Sequence, residues 1–136
     1  MTKGVLHTDG ACFGNPGPMG LGIVLEYGDQ KITESIPHGM GTNNIAEYSA
    51  LIKGMELALE HGVTELFAYA DAALLVHQIN DRWSVKNPEL QKLYERVKEL
   101  KSKFEWFSIA HIGRIGNFET DALSKAAAQR VTNKAE

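Results

Sequence analysis

Four acidic residues are candidates for a shared chemical role, because each lies where a predicted strand or helix begins or ends: Asp9, Glu47, Asp71 and Asp121. Asp9 and Asp71 each follow a predicted strand, whereas the other two lie in the first turns of predicted helices. If the two strands are neighbours, Asp9 and Asp71 lie about 5 Å apart. Carboxylates this close repel unless cations neutralise them, and hard divalent cations prefer such oxygen ligands. The set predicts a site for two Mg²⁺ ions about 4 Å apart, which suits phosphodiester hydrolysis.

Each acid taken alone also has a purely structural explanation. Asp9 is followed by glycine, which is typical of a turn. Glu47 comes three residues after Asn44, so the two could form a capping box at the start of a helix. Asp71 could cap the following short helix, and Asp121 could complement the dipole of the last helix. For single residues these alternatives stay open.

Nine predicted elements position these acids. The strands are Val5–Thr8, Gly20–Tyr27, Lys31–Ile36, Glu65–Ala70 and Trp106–Ala110, and the helices are Asn44–His61, Ala72–Ile79, Glu89–Phe104 and Asn117–Val131. Gly28 and Asp29 predict a two-residue hairpin turn. A hairpin meander followed by strand–helix crossovers predicts an α/β fold with a five-stranded mixed sheet, three antiparallel strands then two parallel, and helices on both faces. Ligands of such sheets gather at the carboxyl ends of the parallel strands.

Composition restricts the function classes. The 136 residues, 43% hydrophobic and 23% charged, fit one domain over 1–136. No apolar run could span a bilayer, no signal peptide is evident, and a single cysteine, Cys12, excludes an intrachain disulfide, so a cytoplasmic location is expected. The net charge of −3 argues against a globally basic nucleic-acid binder, yet residues 82–103 hold seven Lys and Arg against three Glu. That local excess could contact phosphates or form a solvated helix face.

Several motifs follow one another in a fixed order along nearly the whole chain. They are Thr8-Asp9-Gly10-Ala11 with Gly14-Asn15-Pro16-Gly17-Pro18, then Thr42-Asn43-Asn44-Ile45-Ala46-Glu47, then Asp71, then His111 ahead of Asn117 and Asp121-Ala122-Leu123. This set resembles type 1 ribonuclease H, a resemblance that runs from about Val5 to Lys125. It implies a ribonuclease H-like fold and an endoribonuclease that hydrolyses the RNA strand of RNA–DNA hybrids by a two-metal-ion mechanism, leaving 5′-phosphate and 3′-hydroxyl ends.

The same resemblance implies roles for individual residues. Asp9, Glu47, Asp71 and Asp121 would be the catalytic metal ligands, with Asp9 shared between two Mg²⁺ ions and Mn²⁺ as an alternative metal. His111 would be a catalytic residue that assists proton transfer or product departure. Asn15 and the Thr42–Asn44 segment would meet minor-groove edges, 2′-hydroxyls or phosphates of the hybrid. The full set of expected substrate-binding residues is Asn15, Thr42, Asn43, Asn44, Arg114 and Asn117, of which the last two would also hold the His111 loop.

Two departures from the family pattern limit what carries over. Ala72 and Ala73 stand where many members have Ser and a further polar residue, which affects the expected rate more than the reaction class. The connection from Ile79 to Pro88 is short and lacks the extended basic handle of some members. Trp83 and Lys86 are therefore candidates for gripping the hybrid, with a core position as the alternative for Trp83.

Three competing functions differ from hybrid cleavage. A catalytically idle binding module of the same fold would have no reason to keep four clustered acids. A phosphomonoesterase with Asp9 as nucleophile would usually need a second Asp two residues on, where this chain has Ala11. The third alternative, an enzyme that also cuts double-stranded RNA, stays open. The expected partner is the RNA–DNA hybrid, with double-stranded RNA as a further candidate, bound by a monomer without contact to a membrane.

Overall fold

The computed structural model describes residues 1–135, with the side chains of residues 1–131. The strands are β1 Lys3–Cys12, β2 Gly17–Tyr27, β3 Gln30–Gly41, β4 Glu65–Ala70 and β5 Trp106–His111. The helices are α1 Asn43–Glu60, α2 Ala73–Ile79, α3 Pro88–Lys101 and α4 Phe118–Ala135, with a 3₁₀ turn at Arg114–Asn117 before α4. The predicted order of strands and helices is confirmed, and the 3₁₀ turn is an addition.

The sheet has the strand order β3-β2-β1-β4-β5. β1, β2 and β3 pair antiparallel, whereas β4 lies parallel to both β1 and β5. This confirms the predicted mixed sheet. In the β1–β4 register Thr8 lies opposite Ala70, so Asp9 and Asp71 come next at the same edge of the sheet.

Helices cover both faces of the sheet. Gly10 of β1 is so close to α1 that a Cβ atom there would lie 2.3 Å from the Ala46 backbone. Gly22 of β2 faces the opposite side, where a Cβ atom would lie 2.1 Å from the Thr120 carbonyl oxygen of α4. The larger core cluster lies on the α1 side, where fully buried Leu6 packs against α1. Among the described residues, no helix is both long and apolar enough to cross a membrane.

The structure corrects the predicted end of β1 at Thr8. The strand continues through Asp9 and Gly10 to Cys12, and Asp9 pairs with Gly22 of β2. Gly10 is not among the glycines with positive φ, so it makes no turn here. The glycine is required because the α1 backbone leaves no room for a side chain.

The start of α1 also differs from the predicted capping box. Thr42 is the N-cap, and its hydroxyl oxygen accepts a hydrogen bond from the Ile45 N–H at 3.2 Å. Asn44 therefore lies inside the helix, and Glu47 does not reach back to a cap. Its carboxylate instead accepts a bond from the Gly10 N–H of β1.

The predicted second long helix is shorter at its C-terminal end. Asn87 caps α3, which begins at Pro88 and ends at Lys101, three residues before Phe104. Trp83, in the connection before α3, is 47% exposed and its ring lies 4.4 Å from the His77 ring. The alternative of a core tryptophan is therefore wrong.

Candidate active site

The four acids line one open cleft of about 540 Å³ at the carboxyl edge of the parallel strands. Asp9 lies within β1, Glu47 lies just past the first turn of α1, and Asp71 directly follows β4. Asp121 lies in the first turn of α4. Four separate elements thus bring these side chains to one place.

Three of the acids form a tight cluster. Asp9, Glu47 and Asp71 each present a carboxylate oxygen, and these oxygens lie within 4.8 Å of one another. Asp9 and Glu47 are buried, while Asp71 is half-buried. Asp71 does not cap α2, because Ala72 occupies the N-cap position without any side-chain cap bond. Its structural alternative is therefore wrong, and the cluster fits the oxygen donor set of a hard divalent cation.

Glu47 carries the clearest sign that a cation belongs here. Its Oε1 accepts the Gly10 N–H at 2.6 Å, which fixes the carboxylate against β1. Its Oε2 is buried and has no hydrogen-bond partner within the described chain. A buried carboxylate oxygen without a partner is costly, and the cost is offset if the oxygen coordinates a metal ion.

The electrostatics of the cluster agree with that assignment. Burial raises the pKa of Asp9 to about 7, and the negative charges of Asp71 and Asp121 add to the increase. A hydrogen bond from Glu47 opposes it, but that bond forms only while Glu47 carries a proton, so the ionised Glu47 Oε2 still lacks a donor. Burial raises the pKa of Glu47 well above its usual range, and the charge of Asp9 raises it further. Without a cation the cluster therefore retains protons near neutral pH, which a divalent cation would displace.

Asp121 has a different environment from the other three acids. Its Oδ2 lies 3.0 Å from the Lys125 ammonium group, one helical turn further along α4. Burial raises the pKa of Asp121, but the hydrogen bonds from Lys125 and Asp9 and the charges of Lys125 and Arg114 outweigh it, so the pKa is lowered overall. Asp121 is thus ionised and paired with a cation of the chain itself.

Ser124 ties this part of α4 to β1. Its hydroxyl lies 2.8 Å from the Asp121 carbonyl oxygen and 3.4 Å from Asp9 Oδ2. Neither Ser124 nor Lys125 was among the predicted site residues. Their spacing of three and four residues from Asp121 on one helix is the signal that could have found them.

The predicted residues of the β5–α4 connection separate into two groups. His111 ends β5, is exposed and lines the cleft, and Arg114 lines it as well. Asn117 is only 1% exposed, and its side-chain amide donates to the Thr8 carbonyl oxygen at 2.9 Å. Asn117 does not lie on the surface that a substrate would meet, and it joins the connection to the residue before Asp9.

The predicted hybrid-contacting residues lie at the other side of the cleft. Asn43 and Asn44 line it, and the exposed Asn15 accepts a bond from the Asn43 N–H at 3.1 Å. The Thr42 hydroxyl caps α1 by accepting the Ile45 N–H. Ala72 and Ala73 line the cleft with methyl groups, at positions where many members of the resembled family have Ser and a further polar residue.

Fold and site together define an α/β protein that can hold divalent cations at the carboxyl edge of its parallel strands. Residues 7–127 match a family described as "Reverse transcriptase-like". The chain is 37% identical to a ribonuclease H of Syntrophus aciditrophicus, over 97% of this chain and 84% of that protein. The chain therefore belongs to the type 1 ribonuclease H family.

Solved structures agree with this membership. The RNase H1 of the halophilic archaeon Halobacterium salinarum has a TM-score of 0.90 at 35% identity, with 94% of this chain and 98% of that chain covered. LC11-RNase H1, solved in complex with an RNA/DNA hybrid, has a TM-score of 0.88 at 29% identity, with 95% and 99% covered. The chain spans only 38% of the length of its 39% identical relatives from Mycobacterium.

Proposed function

We propose that this chain is an endoribonuclease that hydrolyses the RNA strand of RNA–DNA hybrids and leaves 5′-phosphate and 3′-hydroxyl ends. The observation that carries the proposal is the clustered carboxylates of Asp9, Glu47 and Asp71 with the unpartnered Glu47 Oε2. Family membership supports it, as does the solved complex of LC11-RNase H1 with a hybrid.

Asp9, Glu47, Asp71 and Asp121 are the proposed metal ligands, with Mg²⁺ as the expected ion and Mn²⁺ as an alternative. When bound, two such ions would activate a water and stabilise the charge of the leaving oxygen. The chain holds the ligands in place for this purpose. The Gly10 N–H fixes one oxygen of Glu47, and the Ser124 hydroxyl lies beside Asp9.

His111 is the proposed group for proton movement. Its ring is exposed at the mouth of the cleft, and its backbone lies opposite Ala70, the residue before Asp71. An exposed imidazole at this edge can donate a proton to a departing group and exchange it with solvent. Asn117 acts behind it as a positioning residue, through its bond to the Thr8 carbonyl oxygen.

The hybrid is proposed to lie across the cleft between Asn15, Asn43 and Asn44 on one side and Arg114 on the other. Amide groups in this position can recognise 2′-hydroxyls and minor-groove edges, so that duplex DNA is not cut. Exposed Trp83 and Lys86 are further candidates for backbone contact. Part of the cation excess in residues 82–103 is not free for this role, since Arg96 pairs with Glu56 and Glu99, and Lys98 pairs with Asp81.

The decisive experiment incubates the protein and Mg²⁺ with end-labelled hybrid, double-stranded RNA, duplex DNA and a chromogenic phosphate monoester. We expect cleavage of the RNA strand of the hybrid only, or of double-stranded RNA as well if recognition is broader. Asp121→Asn should abolish cleavage, whereas Glu119→Gln removes an acid of the same helical turn that lies outside the cleft, and should not. Cutting of duplex DNA at the rate of the hybrid would contradict the proposal.

The protein is further proposed to act as a monomer in the cytoplasm.

A further inference from the structure

We propose that Lys125 is an exchangeable counter-ion of the active site. In this view its ammonium group neutralises Asp121 while no metal is bound, and it is released towards the substrate when a divalent cation takes its place. The inference rests on the proposed function, because it concerns the same metal ligands. Nothing in the predicted set of site residues included Lys125.

The first support is the position of the ion pair. Lys125 Nζ lies 3.0 Å from Asp121 Oδ2, and both residues line the cleft that holds the carboxylate cluster. The Asp121 side chain is only 24% exposed, whereas that of Lys125 is 57% exposed. The acid is thus fixed at the site, while the cation can leave it for solvent.

A second ion pair at α4 shows what an ordinary pair looks like in this protein. Lys31 of β3 lies 2.9 Å from Glu119, and both side chains are about half exposed. Neither residue lines the active-site cleft. The two pairs have nearly equal distances and differ in whether the acid is a candidate metal ligand, so Lys31 provides a matched control.

The charge balance of the cleft gives the second support. Four carboxylates line the cleft, and the cations on its wall are Arg114 and Lys125. Of Arg114 and Lys125, only Lys125 forms an ion pair within the described chain. A divalent cation bound through Asp121 Oδ2 takes the oxygen that now faces the ammonium group. Once displaced, the tethered ammonium group remains at the cleft wall, where a phosphate oxygen of the bound strand is a suitable partner.

The proposal predicts effects of opposite sign in two binding measurements. Lys125→Gln should bind Ca²⁺ more tightly in the absence of nucleic acid, by about two- to fivefold, the size expected for one partly exposed ion pair. The same variant should bind a hybrid more weakly in Ca²⁺, because the released ammonium group is missing. Lys125→Arg should keep the Ca²⁺ affinity of the parent. Lys31→Gln should match the parent in both measurements.

Isothermal titration calorimetry with Ca²⁺ alone, followed by hybrid binding in saturating Ca²⁺, tests this directly, with melting in chelator as the check of folding. The change in Ca²⁺ affinity that comes from the Lys125–Asp121 pair itself is isolated by repeating Lys125→Gln in an Asp121→Asn background. There the gain in Ca²⁺ affinity should vanish. An equal gain in that background would mean a general field effect and would overturn the proposal. Unchanged or weaker Ca²⁺ binding by Lys125→Gln would overturn it as well. Failure of the parent protein to cleave the hybrid would instead refute the proposed function. The two failures are distinguishable because the Ca²⁺ titration does not depend on cleavage.

Discussion

Replacing Asp9 by Asn should make the metal-free protein more stable at alkaline pH, although it removes a proposed metal ligand. The folded-state pKa of Asp9 is raised to about 7 from an ordinary value of 3.8. Between these two values the folded protein keeps a proton that the unfolded chain has already released. The free energy of unfolding therefore falls as the pH rises through this window, and the loss is complete above about pH 7.

The size of the effect follows from the width of that window. Each pH unit across it lowers the free energy of unfolding by about 1.4 kcal/mol, so Asp9 accounts for a loss on the order of 4 kcal/mol by pH 8. Asp9→Asn has no such proton to lose. We expect the variant and the parent to be equally stable near pH 4 and to differ by up to about 4 kcal/mol at pH 8 in favour of the variant. The raised pKa of Glu47 acts in the same direction, because the charge of Asp9, which raises that pKa in addition to burial, is also removed.

Urea unfolding in chelator at several pH values measures this difference, with Asp29→Asn in the exposed hairpin turn as the control. Repeating the series with Mg²⁺ adds a second arm. Mg²⁺ should stabilise the parent, by about 2.7 kcal/mol at a hundredfold excess over its dissociation constant, and should stabilise the variant much less. Parallel pH profiles of parent and variant in chelator would refute the reasoning, because Asp9 would then not be a strained acid of the folded state.

Three further predictions concern catalysis and packing. Asp71→Asn should lower the initial rate of hybrid cleavage by roughly a thousandfold or more, since the loss of charge stabilisation commonly amounts to several kcal/mol of barrier; near-normal cleavage would remove Asp71 from the metal site. His111→Ala should lower turnover about 100-fold and leave hybrid binding in Ca²⁺ nearly intact, as measured by single-turnover kinetics and a binding titration, and unchanged turnover would make His111 a bystander. Gly22→Ala should destabilise the protein by about 1–3 kcal/mol in urea melts, because its Cβ would lie 2.1 Å from the Thr120 carbonyl oxygen, and a neutral result would mean that α4 can move away.

The sequence predicted the elements better than their ends. Hydrophobic patterns, short apolar runs and turn signals together located the five strands and four helices of the described chain, because such patterns reflect which faces are buried. The Asp9-Gly10 pair was interpreted as a turn because a local pattern does not reveal that α1 lies against Gly10. The capping box at Glu47 failed for the same reason, since the carboxylate has a partner in β1, which is distant in sequence.

The residues of the site were predictable to different degrees. The four acids were found because each stands at a boundary of a predicted element, even where the structure moves that boundary, and because the resemblance orders them. Asn117 was expected to meet substrate, but it is buried against Thr8, and burial of one polar residue in a short connection leaves no periodic signal. Lys125 was passed over because a lysine four residues after an aspartate is common on any exposed helix.

The close contacts of Gly10 and Gly22 make the site mechanically uneven. At both glycines helix backbone rests directly on strand backbone, so no side-chain rotamer can absorb a displacement there. Asp9 and the helices that carry Glu47 and Asp121 are therefore held rigidly relative to one another. Asp71 lies outside these two helix–strand contacts, in a bend between β4 and the seven-residue α2. If the proposed hydrolysis requires the metal ligands to shift, we expect the shift at Asp71, and substitutions intended to change the rate are best placed around it.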